Sequence, residues 1–171
     1  MLLLFAGLPG TGKSTLARAT ASRLGGHVLD KDVIRDEMFG ASGITFTAEQ
    51  DDLVVDAMLV KAKELLTSSP ATRICFDGRV FSRNAQLKHA INFAESIPTH
   101  WIVVECVCSP ETAKARIAAD FGKHIAANRT SDLYDRVRAR FEPIPEPKLV
   151  IDTDQPFDSC IRQLLSALKN R

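Results

Sequence analysis

The sequence predicts an α/β fold, a three-layer sandwich in which a mainly parallel sheet lies between helices. Two observations predict it. Five apolar, β-branched or aromatic runs alternate along the chain with segments of helical character, the order expected of βαβ units with right-handed crossovers. The first run leads directly into a glycine-rich turn, Gly7-Leu8-Pro9-Gly10-Thr11-Gly12-Lys13-Ser14, which opens a helical stretch. The 171 residues read as one domain, residues 1–171, long enough to bury about two-thirds of its unfolded surface.

The elements follow in order. Leu2–Ala6 is the first strand and Thr15–Leu24 belongs to the helix after the turn. His27–Asp30 is the second strand, and Asp32–Arg35 begins another helix. Thr47-Ala48-Glu49-Gln50 has the form of a capping box, with Thr47 and Gln50 satisfying orphan backbone donors. The helix it opens carries Val54, Met58, Ala62 and Leu65 on one face. Arg73–Asp77 is the third strand. Ser82 can cap the next helix, which runs to about Ile97 and is limited by Pro98. The fourth strand is His100–Val107. Ser109-Pro110-Glu111 starts a helix, with Pro110 at the first helical position and Glu111 near the positive dipole end. Glu142-Pro-Ile-Pro-Glu-Pro147 is extended and cannot be helical. It leads into the last strand, Lys148–Asp152, and an amphipathic helix over about Asp158–Lys169.

Bulk properties exclude some functions. A formal net charge of +1 argues against a whole-surface footprint for long nucleic acid, although a local basic groove remains open. No apolar run approaches a membrane span, and Met1 leads straight into a strand with no signal-peptide pattern, so a cytoplasmic protein without membrane contact is expected. Cys75, Cys106 and Cys108 lie in strand-like runs, and no second Cys/His pair completes a zinc site. With Cys160 they read as reduced thiols.

The chemistry is concentrated at the strand ends. The spacing G-x-x-x-x-G-K-S is that of a phosphate-binding P-loop, which narrows the fold to the P-loop NTPase type. Gly7, Gly10 and Gly12 let the backbone curl so that N–H groups point inward, and the helix N-terminus adds its positive dipole end. Lys13 reaches the β- and γ-phosphates, while Ser14 can hold Mg²⁺. Gly10, Thr11, Gly12, Lys13, Ser14 and Thr15 are therefore the expected ATP contacts. Ligands in such sheets lie at the carboxyl ends of the strands.

On the acceptor side, Asp30 and Asp32 are two apart, and Arg35 lies three beyond Asp32. Such a carboxylate can take the proton of an attacking hydroxyl while the arginine clamps the acceptor. The alternative is an N-cap aspartate with a local helix ion pair. Asp77 ends an apolar strand in a Walker-B-like position and is a candidate metal or acceptor ligand with Ser14. Arg79 and Arg83 follow it and can meet acceptor charge, or serve as solvated helix charges. Residues 116–134 read as a small cationic lid. Arginines that arrive with closure neutralise charge and exclude water. Arg129 is the first candidate there, and Arg116 the second, on the nucleotide side. Arg136, Arg138 and Arg140 read as exposed helix charges, and His124 as a solvated lid residue.

With these segments together, the chain resembles the P-loop kinase group of adenylyl-sulfate kinases, gluconate-type sugar kinases, chloramphenicol phosphotransferase and polynucleotide 5′-kinase domains. GLPGTGKSTLA is similar to that group's phosphate loop, LDKDVIR to its acceptor-side D-x-D-x-x-R, FDG to its strand-end aspartate, and RFEPIPEPKLVIDTD to the adenylyl-sulfate kinase ending. The resemblance implies a five-stranded parallel sheet of order 2-3-1-4-5. It implies that Asp32 is the hydroxyl-activating base, Arg35 an acceptor clamp, Lys13 and Ser14 the phosphate and Mg²⁺ ligands, and Arg129 a lid arginine, with Asp154–Phe157 near the adenine. The chain departs from adenylyl-sulfate kinases in having Lys31 between its aspartates, where they have glycine. The expected activity is ATP- and Mg²⁺-dependent transfer of a phosphoryl group to a hydroxyl of a small molecule or nucleotide. Two rivals stand beside it: a polynucleotide 5′-hydroxyl kinase and a nucleotide-dependent switch ATPase.

Overall fold

Why the strands are apolar throughout becomes clear from the sheet. The computed structural model describes residues 1–78, 81, 83–120 and 132–169. Its five strands are β1 (Leu2–Ala6), β2 (His27–Asp30), β3 (Ile74–Asp77), β4 (Trp101–Val107) and β5 (Leu149–Asp152). They form one parallel sheet in the order β2-β3-β1-β4-β5, as the resemblance implied. A central parallel strand is covered on both faces, so it needs no polar alternation. Accordingly, Leu2, Leu4 and Ala6 of β1 enter one core while Leu3 and Phe5 enter the other.

The helices divide between those two cores. α1 (Lys13–Leu24) and α7 (Phe157–Lys169) cover one face through Leu16, Ala17, Ile161 and Leu164. α3 (Ala48–Ser68) and α4 (Asn84–Glu95) cover the other through Val54, Met58, Ala62, Leu87 and Ala90. Each fully buried large side chain contributes about 1.5–3 kcal/mol of transfer free energy. That burial, rather than intrinsic propensity, holds the helices to the sheet. The remaining helices are α2 (Lys31–Gly43), α5 (Pro110–Ala119) and α6 (Leu133–Arg138). Non-helical backbone at Gly40 divides α2 into two pieces.

The ends of the elements follow local chemistry. Asp30 caps α2 by accepting from the Asp32 and Val33 amides, and Ser109 caps α5 ahead of Pro110. The capping box at α3 forms by half. The Thr47 hydroxyl accepts from the Gln50 amide, but the buried Gln50 side chain turns back further. Its Oε1 accepts from the Thr45 and Phe46 amides and its Nε2 donates to the Gly43 carbonyl. At α4 the N-cap position belongs to Arg83, whose side chain makes no capping bond. The expected cap, Ser82, lies outside the described residues. The Asn84 amide instead donates to Glu142 at 2.7 Å, so the proline-punctuated segment supplies an acceptor that no local pattern announces. The third, fourth and fifth strands each begin one residue later than expected, although the Arg73 and His100 carbonyls still accept from the His27 and Leu2 amides.

All four cysteines are free. Burial pushes the Cys75 and Cys106 thiols up to about 12, and Cys160 is also buried with its thiol raised by burial. An acid with a raised pKa stays protonated below that value, and the thiol form is unreactive. Burial raises the Cys108 thiol as well, but Cys108 alone of the four is only partly buried. Titration with a disulfide dye at pH 8 is therefore expected to find one accessible thiol, Cys108, in native protein and four after unfolding. A second fast thiol in the native state would contradict this packing. Among the described residues no helix is long and apolar enough to cross a membrane.

Candidate functional site

The carboxyl ends of β1, β2 and β3 open into one cleft of about 670 Å³. The glycine-rich loop forms its floor because its backbone enters regions closed to other residues. Gly7 and Gly10 have φ of 130° and 78°. A Cβ on Gly7 would lie 2.3 Å from the Cys106 carbonyl oxygen, and one on Gly10 would lie 2.4 Å from that of Ala113. Glycine is required at both for conformation and for space. Three bonds hold the loop from within and behind. The Thr11 hydroxyl donates to the Leu8 carbonyl at 2.8 Å, Lys13 Nζ donates to the same carbonyl at 2.6 Å, and the Thr153 hydroxyl donates to the Thr11 carbonyl at 3.1 Å. Thr11 is turned inward and buried, whereas Gly10, Gly12, Lys13, Ser14 and Thr15 line the cleft.

Arg116 reaches this loop from α5. It donates to the Thr153 hydroxyl at 2.9 Å, to the Thr153 carbonyl at 2.8 Å and to the Gly10 carbonyl at 3.4 Å. Sequence reasoning missed Thr153, which joins β4, β5 and the loop; an Asp-Thr at the end of the last strand was the available signal. Beside it lies a smaller cavity of about 330 Å³, lined by Gly12, Thr15, Leu16, Arg116, Thr153, Gln155, Phe157 and Cys160. This cavity includes part of the 154–157 segment expected near a nucleobase.

Asp30 and Asp77 are register partners at the ends of β2 and β3. Asp77 is only 1% exposed. Its Oδ1 accepts from the Ser14 hydroxyl at 2.8 Å, and its Oδ2 is buried without a hydrogen-bond partner among the described residues. Burial raises the Asp77 pKa and the Ser14 bond opposes that shift. An orphaned, desolvated carboxylate oxygen behind a hydroxyl suits a hard cation or the water it carries. The donor set therefore fits Mg²⁺. Arg18 pairs with Asp30 at 2.9 Å and lies 3.9 Å from Asp77.

The opposite wall comes from α2 and the start of α3. Arg35 is buried and donates to Asp32 Oδ1 at 2.6 Å and to Asp51 Oδ1. Its guanidinium lies over the Phe46 ring, 5.2 Å from the centroid. Lys31 also donates to Asp51, at 3.2 Å, and burial is the largest cause of its lowered pKa. Sequence reasoning missed Asp51, Phe46 and Lys31 as part of this wall. The Asp32–Arg35 pair is the local ion pair that one reading anticipated, yet it faces the cleft. Arg83 is exposed and does not line the cleft among the described residues. Arg79, Arg129 and most of the expected lid lie outside the described residues. Arg136 and Arg138 are exposed on α6, with Arg136 paired to Asp132 at 3.2 Å. Arg140, also exposed, lies along the cleft.

A family model described as an AAA domain matches residues 2–144. The chain belongs to that family. A search of curated proteins finds no match. Among solved structures, this AAA-domain chain is similar to the Mycobacterium tuberculosis APS kinase CysC in complex with AMPPNP and APS. The two share 16% identity over 98% of this chain and 96% of that one, with a TM-score of 0.76. Chaetomium thermophilum Kti12 in complex with ADP-AlF3 gives 17% identity over 99% and 98%, with a TM-score of 0.75. A gluconokinase from Sinorhizobium meliloti gives 18% over 98% and 91%, with a TM-score of 0.67. At these identities the likeness shows the fold, the P-loop NTPase type shared with P-loop kinases.

Proposed function

We propose that this protein transfers the γ-phosphate of ATP, in the presence of Mg²⁺, to a hydroxyl of a small molecule or nucleotide. The observation that carries the reading is the facing of two walls across one cleft: the phosphate loop on one side and the Asp32–Arg35–Asp51 cluster on the other. Phosphoryl transfer asks a protein for positioning and charge stabilisation more than for covalent chemistry. In this reading the loop amides and Lys13 hold the triphosphate, and the cavity beside Arg116 and Phe157 takes the base. Ser14 and Asp77 would hold Mg²⁺, directly or through its water, and bound there it neutralises charge on the transferring group. Asp32 takes the hydroxyl proton as the acceptor oxygen bonds to the γ-phosphorus and the bond to the β-phosphate oxygen breaks. Arg35 orients Asp32.

A switch ATPase would require no such cluster opposite its loop. A polynucleotide kinase would require a basic channel, and the near-neutral chain offers little for one. The test is a screen with labelled ATP against sugars, polyols, nucleosides, amino-bearing antibiotics and nucleic-acid ends. The expected result is label transferred to one acceptor class, with little hydrolysis until that acceptor is added. Rapid acceptor-independent hydrolysis, with no labelled product, would favour the switch.

A further inference from the structure

We infer that Asp51 sets the charge of the acceptor: by holding Lys31 and Arg35 in ion pairs, it fits the cleft to an uncharged hydroxyl compound and against one bearing phosphate, sulfate or carboxylate. The inference rests on the phosphotransferase reading and narrows it.

Lys31 and Arg35 are the two cations that α2 places along this wall. Left to themselves, a guanidinium and an ammonium side by side would form an anion site. Asp51 Oδ1 accepts from both, with Lys31 Nζ at 3.2 Å, and Arg35 gives its other terminal nitrogen to Asp32 at 2.6 Å. The four side chains thus carry two positive and two negative charges, and both terminal nitrogens of the guanidinium fork are engaged. An incoming anion would have to displace carboxylates already at contact distance. It would also face Asp51 itself, whose side chain is 34% exposed. Like charges brought together in a partly desolvated site repel strongly.

Each terminal nitrogen of the guanidinium already donates to a carboxylate. Arg35 Nε is buried and makes no hydrogen bond among the described residues. A phosphate or carboxylate gripped in two prongs by the terminal nitrogens would have to compete with Asp32 and Asp51, which hold them now. The wall is also rigidly built. Phe46 has a φ of 52°, a strained conformation for a bulky side chain that persists only where neighbours enforce it. Gln50 enforces it with its two bonds to the Thr45 and Phe46 amides and a third to Gly43. The Phe46 ring thereby covers one face of the guanidinium and closes a second approach for an anion.

Two measurements test this, on wild type and Asp51→Asn. The first compares transfer to neutral acceptors and their anionic relatives: xylitol with xylonate, glucose with glucose 1-phosphate, and a nucleoside with its 3′-monophosphate. Wild type should prefer the neutral member by about tenfold or more in kcat/KM, and Asp51→Asn should reduce that ratio by about tenfold. A purely structural role for Asp51 would lower both members alike and leave the ratio unmoved, which would overturn the inference, as would a wild-type preference for the anion. The second measurement fills the donor site with Mg²⁺ and a non-hydrolysable ATP analogue and titrates sulfate by calorimetry. Sulfate should bind Asp51→Asn about tenfold more tightly than wild type; equal affinity would overturn the inference. If no compound is phosphorylated, the phosphotransferase reading fails on its own, and the sulfate titration still decides the role of Asp51. Asp51→Ser provides the same comparison should the amide disturb folding.

Discussion

Asp32→Asn is expected to remove phosphoryl transfer, by about 10²–10⁴-fold in kcat, while leaving ATP affinity nearly unchanged. The two parts of that expectation come from different atoms. Asp32 Oδ1 accepts from Arg35 at 2.6 Å, and an asparagine carbonyl oxygen can still accept there, so the buried guanidinium is not stranded. The proton-accepting capacity is what disappears. Asp32→Ala is a harsher change, because truncating one partner of a buried pair costs about 3–5 kcal/mol. Comparing the two variants separates roles. A base gives a silent denaturation curve and a lost kcat in the asparagine variant. A structural ion pair gives little loss of activity there and a lower melting temperature in the alanine variant. Full transfer by Asp32→Asn would remove Asp32 as the base.

How much of this site could be read from the chain depends on the range of each contact. The glycine loop, Asp30 as a cap and the Asp32–Arg35 spacing are all local, and local backbone rules reach them. Asp51 is different. It sits in the first turn of α3, where an acidic residue is already explained by the helix dipole. Nothing in its neighbourhood indicates that it meets Arg35, sixteen residues earlier, across the break at Gly40. Gln50 shows the same limit. Its position in a capping box was legible, but its side chain serves the loop before Thr47 instead of the Thr47 amide. Thr153 and Glu142 act over still longer ranges, and only the sheet order brings them to the phosphate loop and to α4. The sheet itself was easier, because parallel strands buried on both faces must be apolar without alternation. Its order came from resemblance, since apolar runs alone do not say which strand lies beside which.

Lys13→Ala is expected to weaken ATP binding by about 10–100-fold, the loss of one charge-assisted hydrogen bond to phosphate, and to lower turnover by about 10²–10³-fold, as removal of a preorganised charge stabiliser does. The loop itself should survive. Lys13 Nζ lies 2.6 Å from the Leu8 carbonyl and 3.4 Å from the Thr11 hydroxyl, so the variant loses an internal tie. The Thr11 hydroxyl still closes the turn onto Leu8, Thr153 still donates to the Thr11 carbonyl and Arg116 to the Gly10 carbonyl. Removing an ammonium that is only 8% exposed also relieves a desolvated charge, which offsets part of the lost bonding. A melting temperature close to wild type is therefore expected beside the loss of function. That pattern differs from Asp32→Asn, which should lose transfer and keep binding. The two variants together divide the cleft into a donor half and an acceptor half. ATP affinity and turnover both unaltered in Lys13→Ala would mean that the glycine loop does not hold the triphosphate, and the division would fail with it.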